Sequence, residues 1–311
     1  MRKGILGVGE ANALTDYLRL LDAAFPTLQV RRSSLLGEGW DSVALLVNDH
    51  LVFRFAKRPD AAVRQAREAD LLPLLSDRLP LPIPHYTYTW TDPAWPGKRI
   101  VGYRLIAGEP LMLTRPEHRA TQAAQLGAFL SALHAVPLEE AQRHGVVSRD
   151  APSLREAYRG FFAKVRANML PLFTAQEQAA IVAFWSGYLD DDACFTFTPT
   201  LVHRDLVAEH VLFDPATGQL SGVIDWGDAG IDDPAVDFAG VRRQLGDEFA
   251  RAMLAAYHSA LDSALDATAL RRMDFYAGME PFHEIHFAQM HGDAAHLAHG
   301  VESARRQFAH E

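Results

Sequence analysis

Cysteine is almost missing from this chain: Cys194 is the only one in 311 residues. An intrachain disulfide is therefore excluded and stability must come from a packed core, while a lone thiol without an activating neighbour reads as packed rather than nucleophilic. Long apolar runs are missing too, so no segment reads as a bilayer span. The opening MRKGILGVGEANALTDYL turns polar too early for a secretion signal, and the expected location is cytoplasmic, with no membrane partner. Positive charge is in deficit, with 30 Lys and Arg against 39 Asp and Glu and a formal charge of -9. That balance argues against a nucleic-acid partner and is compatible with a cationic small molecule. Repeats and low-complexity tracts are absent, and a hydrophobic share of 49% is ordinary for a folded chain long enough for two lobes.

What is present changes character along the chain. Residues 9 to 25 place Leu14, Leu18 and Leu21 at helical spacing. QVRRSSLLGEGWDSVALLVNDHLVFRFAK then alternates as strands do, with bends at Gly37-Glu38-Gly39 and at Asn48-Asp49, and predicts successive antiparallel strands. Residues 60 to 77 predict a helix with Asp60 as N-cap and an interruption at Pro73. LPLPIPHYTYTW is extended by its prolines and leads into another strand, and KRIVGYRLIAGEPL reads as a last strand followed by a Gly-containing connector. The lobe boundary is expected there, giving lobes of residues 1-106 and 107-311. The second is expected to be mostly helical, with RPEHRATQAAQLGAFLSALHAVP a strong helix and further helices over about 153 to 190 and 241 to 308. Small strands interrupt it in TLVHRDLVAEHVLFD and LSGVIDWGD.

Those interrupting segments carry the chemistry. Phosphoryl transfer asks a protein to hold phosphates, to offset charge with Mg²⁺ and to orient an accepting hydroxyl with a carboxylate. Asp205 of HRD is the candidate base or orienting group, and His210, five residues on, and Asp225 of VIDWGD are candidates to direct ligand atoms toward the metal. A loop sets Asp205 and His210 at its ends, and a short hairpin returns Asp225 to the same cleft. Protein kinases share His-Arg-Asp, yet they carry Asn where His210 stands and Asp-Phe-Gly where this chain reads DWG. Ala-Pro-Glu is missing, and DPAVDFAG follows DWGD too soon for a long activation segment, which favours a small acceptor.

VHRDLVAEHVLFDPATGQLSGVIDWGDAGIDDPAVDFAG resembles the aminoglycoside phosphotransferase-like small-molecule kinases, and the resemblance extends over nearly the whole chain. It implies an α+β, bilobal protein-kinase-like fold, with an N-terminal antiparallel-sheet lobe and a larger, mainly helical C-terminal lobe. By it Asp205 is the catalytic Asp, His210 and Asp225 the metal-binding pair, and Asp237 a brace behind the catalytic loop. Arg204 stands where the family more often has Gly. In the first lobe the resemblance puts Gly37 and Gly39 in the loop covering the phosphates of ATP or GTP, and strand alternation aligns Arg54, rather than Lys57, with the family's phosphate-contacting lysine. Glu68 is expected to pair with Arg54. GYRLIAGEP, through Leu105, is expected to meet the purine edge, with Tyr103 narrowing the back of the pocket.

The late helix, MEPFHEIHFAQMHGDAAHLAH, is placed by the resemblance beside the acceptor, so Asp228, Glu280 and Glu284 are candidates for ammonium groups of an aminoglycoside. His283 and His286 are not at the spacing of a helical zinc pair. Arg242 and Arg243 count against a uniformly acidic pocket. GEGWDSVALLV, LPLPIP and SGVIDWGDAGIDDPAVDF are most similar to the kinases that modify a 2''-hydroxyl of an aminoglycoside, whereas LHAVP, Arg54 and His210 resemble the macrolide 2'-phosphotransferases. A metabolite kinase and a nucleotide-binding pseudokinase are the other readings.

Overall fold

The computed structural model describes residues 8–95, 97–258 and 267–308, and only the backbone of residues 8–13. Part of the helix expected over 241 to 308 lies outside the described residues.

The first half is a five-stranded antiparallel sheet in the order β1-β2-β3-β5-β4. Its strands are β1 (Ser33–Glu38), β2 (Ser42–Val47), β3 (Leu51–Ala56), β4 (Tyr86–Thr91) and β5 (Arg99–Arg104). Asn48, Asp49 and His50 join β2 to β3, the first two in left-handed backbone at φ 54° and 63°, which Asn and Asp tolerate better than most residues. The Asn48 side chain fixes the turn by accepting from the Arg31 and Arg32 amides at 2.7 and 3.2 Å. Alternation then sorts the faces. Val43, Leu45, Phe53 and Phe55 pack under α1 (Val8–Ala24), whereas Arg54, between the two phenylalanines, points to the opposite face. Across that face lies α2 (Pro59–Ser76), which buries Leu71, Leu72 and Leu75. Its N-cap is Arg58, with Pro59 in the first turn, so Asp60 is not the cap; it lies inside the helix and meets Arg58 and Arg64 instead. Pro73 does not break α2 either, because the last turn continues to Ser76 with Leu75 fully buried beneath it.

The second half is helical: α3 (Arg119–His134), α4 (Leu138–Arg143), α5 (Ala151–Lys164), α6 (Ala175–Leu189), α7 (Val236–Leu245), α8 (Asp247–Ala256), α9 (Ala269–His291) and α10 (Ala294–Phe308). The helical stretch expected over 153 to 190 is two helices, since α6 restarts at a capping box of Thr174 and Glu177. Trp185, Phe129, Phe238, Phe275 and Phe282 fill one continuous core, which also encloses Cys194.

Six short strands decide where the polar loops lie: β6 (Glu109–Pro110), β7 (Val147–Ser148), β8 (Thr200–Val202), β9 (Val211–Phe213), β10 (Leu220–Val223) and β11 (Gly230–Asp232). The strands β6, β7 and β11 carry two or three residues each, too few for alternation to announce them. Val202 of β8 faces Gly230 of β11, and Val211 of β9 faces Val223 of β10. Residues 203–210 and 224–229 are therefore two loops clamped side by side at both ends.

Candidate active site

The first loop is held from behind by Asp237 at the start of α7. Its fully buried carboxylate accepts from the backbone N–H of His203 at 2.9 Å and of Arg204 at 2.7 Å, the bracing role the sequence suggested. His134 Nε2 lies 3.1 Å from the same carboxylate and His134 Nδ1 2.9 Å from the Tyr257 hydroxyl, which extends the brace into α3. His203 is fully buried, donates through Nε2 to the Ile224 carbonyl at 3.1 Å, and so ties the first loop to the second. Burial drives its imidazole down to about 4, so it is neutral at physiological pH.

Two residues of the pair of loops take left-handed backbone, Arg204 at φ 71° and Asp225 at φ 66°. A Gly is the unstrained choice at such a position, which is the physical reason the related motif favours Gly where Arg204 stands. The Arg204 side chain turns inward, its Nε 3.1 Å from Asp232. Arg204 thus buttresses the loop and also lines the cleft.

Asp205 and Asp225 both open to the cleft, with side chains 48% and 43% exposed. Between them stands His210. Its Nδ1 lies 2.8 Å from the Asp205 carbonyl and donates to it, which turns Nε2 toward the Asp225 carboxylate, 3.8 Å away. Burial first, then Asp228, Asp225 and Glu280, raise Asp205 to about 7 against the pull of His210. Asp225 moves down, because Arg54 and His210 outweigh the effect of burial.

Arg54 crosses from the sheet to meet these loops. Its Nη1 is 3.0 Å from Glu68 and 3.3 Å from the Tyr86 hydroxyl, its Nη2 is 2.8 Å from Asp225, and its Nε is 3.4 Å from Ser42 Oγ. The expected Arg54–Glu68 pair is thus formed, and the register argument against Lys57 is met, since Lys57 pairs outside with Glu38 at 2.6 Å. Glu68 also accepts from the Trp226 amide at 3.3 Å; burial still pushes its pKa up, although Arg54 pulls the other way.

Between the sheet and the two loops lies one cavity of about 760 Å³, within the ordinary range for small-ligand sites. It brings together Gly39, Arg54, Glu68, Asp205, His210 and Asp225, and it continues to Asp228 and Glu280. Other expected residues fall outside it. Gly37 sits in β1 at a register shift, away from the cavity lining. Tyr103 is buried in β5 with its ring 5.6 Å from Tyr86, behind the lining rather than in it. The Leu105 N–H is already used, donating to the His50 carbonyl at 2.8 Å where the β3 turn meets the end of β5, and so is not a free donor for a base. Glu284 is turned to α10, 2.7 Å from His299 Nδ1, and does not line the cavity. The arginines held against an acidic pocket are neutralised locally: Arg242 by Asp247 and Asp274, Arg243 by Glu280 at 3.9 Å.

Some lining residues were not anticipated. Arg64 lies four residues before Glu68 on the same face of α2, a spacing that marks it, and bonds Asp41 of the Gly-rich bend at 2.8 Å. Trp40 follows the two glycines of GEGWD, where nothing in the pattern separates it from an ordinary turn residue. Tyr158 and Arg149 come from α5 and the end of β7, where no local signal points to the cavity. Among the described residues, no three His, Cys, Asp or Glu groups converge as a preformed metal cage, and no helix is long and apolar enough to cross a membrane.

With this geometry in place, comparison with known proteins is specific. The model of the phosphotransferase enzyme family matches residues 33–276. The viomycin phosphotransferase of Streptomyces vinaceus is 30% identical over 276 residues, covering 84% of this chain and 89% of that protein. The structure of APH(2")-IIIa in complex with GDP and kanamycin superposes with a TM-score of 0.86 at 27% identity, over 94% of this chain and 98% of that one. A macrolide 2'-phosphotransferase type I shares the fold, with a TM-score of 0.74 at 23% identity over 98% of each chain. The match from β1 into α9 spans the sheet, both clamped loops and the cavity between them, and this chain belongs to the phosphotransferase enzyme family.

Proposed function

We propose that this phosphotransferase moves the γ-phosphoryl group of ATP or GTP to a hydroxyl of an aminoglycoside. One observation carries the reading: a single cavity joins the Arg54–Glu68 pair to Asp205, His210 and Asp225, and then runs on to the carboxylates of Asp228 and Glu280. We take residues 1-106 as the nucleotide lobe and 107-311 as the catalytic and acceptor lobe. Gly39 lets the backbone of the covering loop approach the phosphates. Arg54, fixed by Glu68, supplies cationic donors to them, and its guanidinium suits a forked contact with phosphate oxygens. Asp205 orients the accepting hydroxyl and takes its proton. The linker after β5 offers carbonyl groups, not the Leu105 N–H, to the base.

Mg²⁺ fits the donor set. It is ordinarily held by one or two protein groups together with substrate phosphates and water rather than by a full protein cage. The solvent-reached Asp225 carboxylate and Nε2 of His210 would hold it, the imidazole through water. When bound, the ion offsets phosphate charge. At the far end, Asp228 and Glu280 present carboxylates whose pKa values are raised by burial, so a cationic acceptor gains by stabilising their charged forms. The likeness to proteins named for viomycin and solved with kanamycin supports a cationic antibiotic as acceptor. A nucleoside triphosphate donor suits an enzyme of the cytoplasm.

Purified protein with Mg²⁺ and ATP or GTP, offered aminoglycosides, viomycin, macrolides and small metabolites, tests the reading by phosphate incorporation. Incorporation into kanamycin-type acceptors is expected, and Asp205→Asn should lower turnover by roughly 10²–10⁴-fold while leaving nucleotide affinity largely intact. Incorporation into macrolides or metabolites alone would replace the acceptor, and nucleotide binding without incorporation anywhere would make the chain a pseudokinase.

A further inference from the structure

The strand β7 is short and serves one side chain. It pairs in parallel with β11, Val147 against Gly230 and Ser148 against Ile231, and the next amide, that of Arg149, donates to the Ile231 carbonyl at 2.8 Å. Pairing thus fixes the backbone of Arg149 beside Asp232, and its side chain, 43% exposed, lines the cavity at the acceptor end.

That guanidinium is short of partners. Asp232 stands 3.8 Å from its Nη1, beyond hydrogen-bond reach, and the same carboxylate oxygen already accepts from Arg204 Nε at 3.1 Å. Asp233, the next acid along the chain, is held by Arg272 at 2.6 Å. Among the described residues the Arg149 side chain makes no hydrogen bond, and one buried carboxylate faces two guanidiniums, so this wall of the cavity keeps a positive charge. Tyr158 and His283, both in the lining, lie within reach of that charge. The acidic wall is separate. Burial, Arg243 and Glu284 govern the Glu280 carboxyl, and Arg149 does not enter. His283, one helical turn beyond Glu280 on α9, marks where the two walls meet.

We propose that Arg149 is a specificity-determining residue whose guanidinium donates to a hydroxyl or ether oxygen of the acceptor, away from the ammonium groups that Asp228 and Glu280 hold. The inference rests on the acceptor assigned above and sharpens it to an amino sugar with ammonium groups on one edge and neutral oxygens on the other. A guanidinium has only donors to offer, so a neutral oxygen gains a charge-assisted bond where an ammonium group meets like charge. An acceptor with ammonium groups on both edges is disfavoured in either orientation.

The full-length parent, Arg149→Ala and Arg149→Lys, compared in steady-state phosphorylation of kanamycin at saturating nucleotide and Mg²⁺, test the assignment, with affinity for a non-hydrolysable nucleotide analogue measured alongside. Arg149→Ala should raise KM for kanamycin about tenfold or more, the range of a hydrogen bond to a charged group, with kcat falling far less. Arg149→Lys keeps the charge but not the fork and should fall between. Analogue affinity within about twofold of the parent shows that the variants are folded. A KM unchanged in Arg149→Ala makes the guanidinium idle, a KM lowered there makes it a mere repeller of ammonium groups, and either overturns the inference. Loss of analogue affinity in both variants makes Arg149 a structural residue and overturns it as well. A parent that binds the analogue yet phosphorylates no kanamycin overturns the functional reading and this inference with it, a failure told apart from the others because it shows before any substitution.

Discussion

Replacing Arg54 by Met is the most informative single perturbation, because it removes one partner from a pair whose other member has no access to water. The Glu68 side chain is 0% exposed and accepts two hydrogen bonds from Arg54 Nη1, at 3.0 and 3.2 Å, leaving only the Trp226 amide and Tyr86 as neighbours. A buried charge stripped of its partner destabilises by about 3–5 kcal/mol. Asp225 loses the same guanidinium but is 43% exposed, so water replaces it and that share is at most about 1 kcal/mol. At roughly 2 °C per kcal/mol for a chain this large, the melting temperature should fall about 6–10 °C.

The pH dependence gives a second handle. Burial already lifts the Glu68 pKa, and without Arg54 it rises further. An acid whose folded pKa lies above its unfolded value loses stability as pH climbs from the unfolded to the folded value, so Arg54→Met should be less damaged at pH 5 than at pH 8. Arg54→Met combined with Glu68→Leu should recover most of the loss, since an apolar pair can replace a buried ion pair at little cost. Urea denaturation at the two pH values reads all three. A single variant within about 1 kcal/mol of the parent at neutral pH, or a double variant no better than the single, would refute the reasoning.

Arg204→Ala should be about 1–2 kcal/mol less stable than Arg204→Gly, because both lose the Asp232 contact but only alanine keeps the cost of φ 71°; equal unfolding midpoints would show that the loop relaxes. His203 takes its proton at about 4 when folded against 6.5 as a free group, so stability declines as pH drops between those values. Its share between pH 7 and pH 5 is about 2 kcal/mol, and His203→Gln should show a visibly shallower decline in denaturation midpoints. Chelation should abolish turnover and Mg²⁺ restore it, with His210→Asn retaining activity that His210→Ala loses by about tenfold or more in a nucleotide-release assay, because the amide oxygen can still meet the ion.

Much of the site was legible because its spacing is covalent. Asp205 and His210 sit at the ends of one loop, and PATG between two apolar runs signals the hairpin that brings Asp225 back. Strand alternation, read against the lysine of the related kinases, chose Arg54 over Lys57, and the same resemblance put Glu68 beside it. Local patterns failed where tertiary partners decide. Asp60 looks like a cap until Arg58 and Pro59 start the helix earlier. Leu105 looks free until its N–H is seen to close onto His50, and Glu284 shares a helix with Glu280 but is claimed by His299. The pairing of β11 with β8, which sets one edge of the cleft, involves three residues and leaves no periodic trace.

The passage from Asp225 to β11 has a consequence for control. Only Trp226, Gly227, Asp228 and Ala229 separate them, and Trp226 is pinned in the core with its indole donating to Val223. A strip that short cannot swing out to hide the cleft, nor can it present a hydroxyl for a regulatory enzyme to modify. Where Asp225 and Asp228 stand is thus set by the fold of the strip itself, between the buried indole and the first pair of β11 with β8.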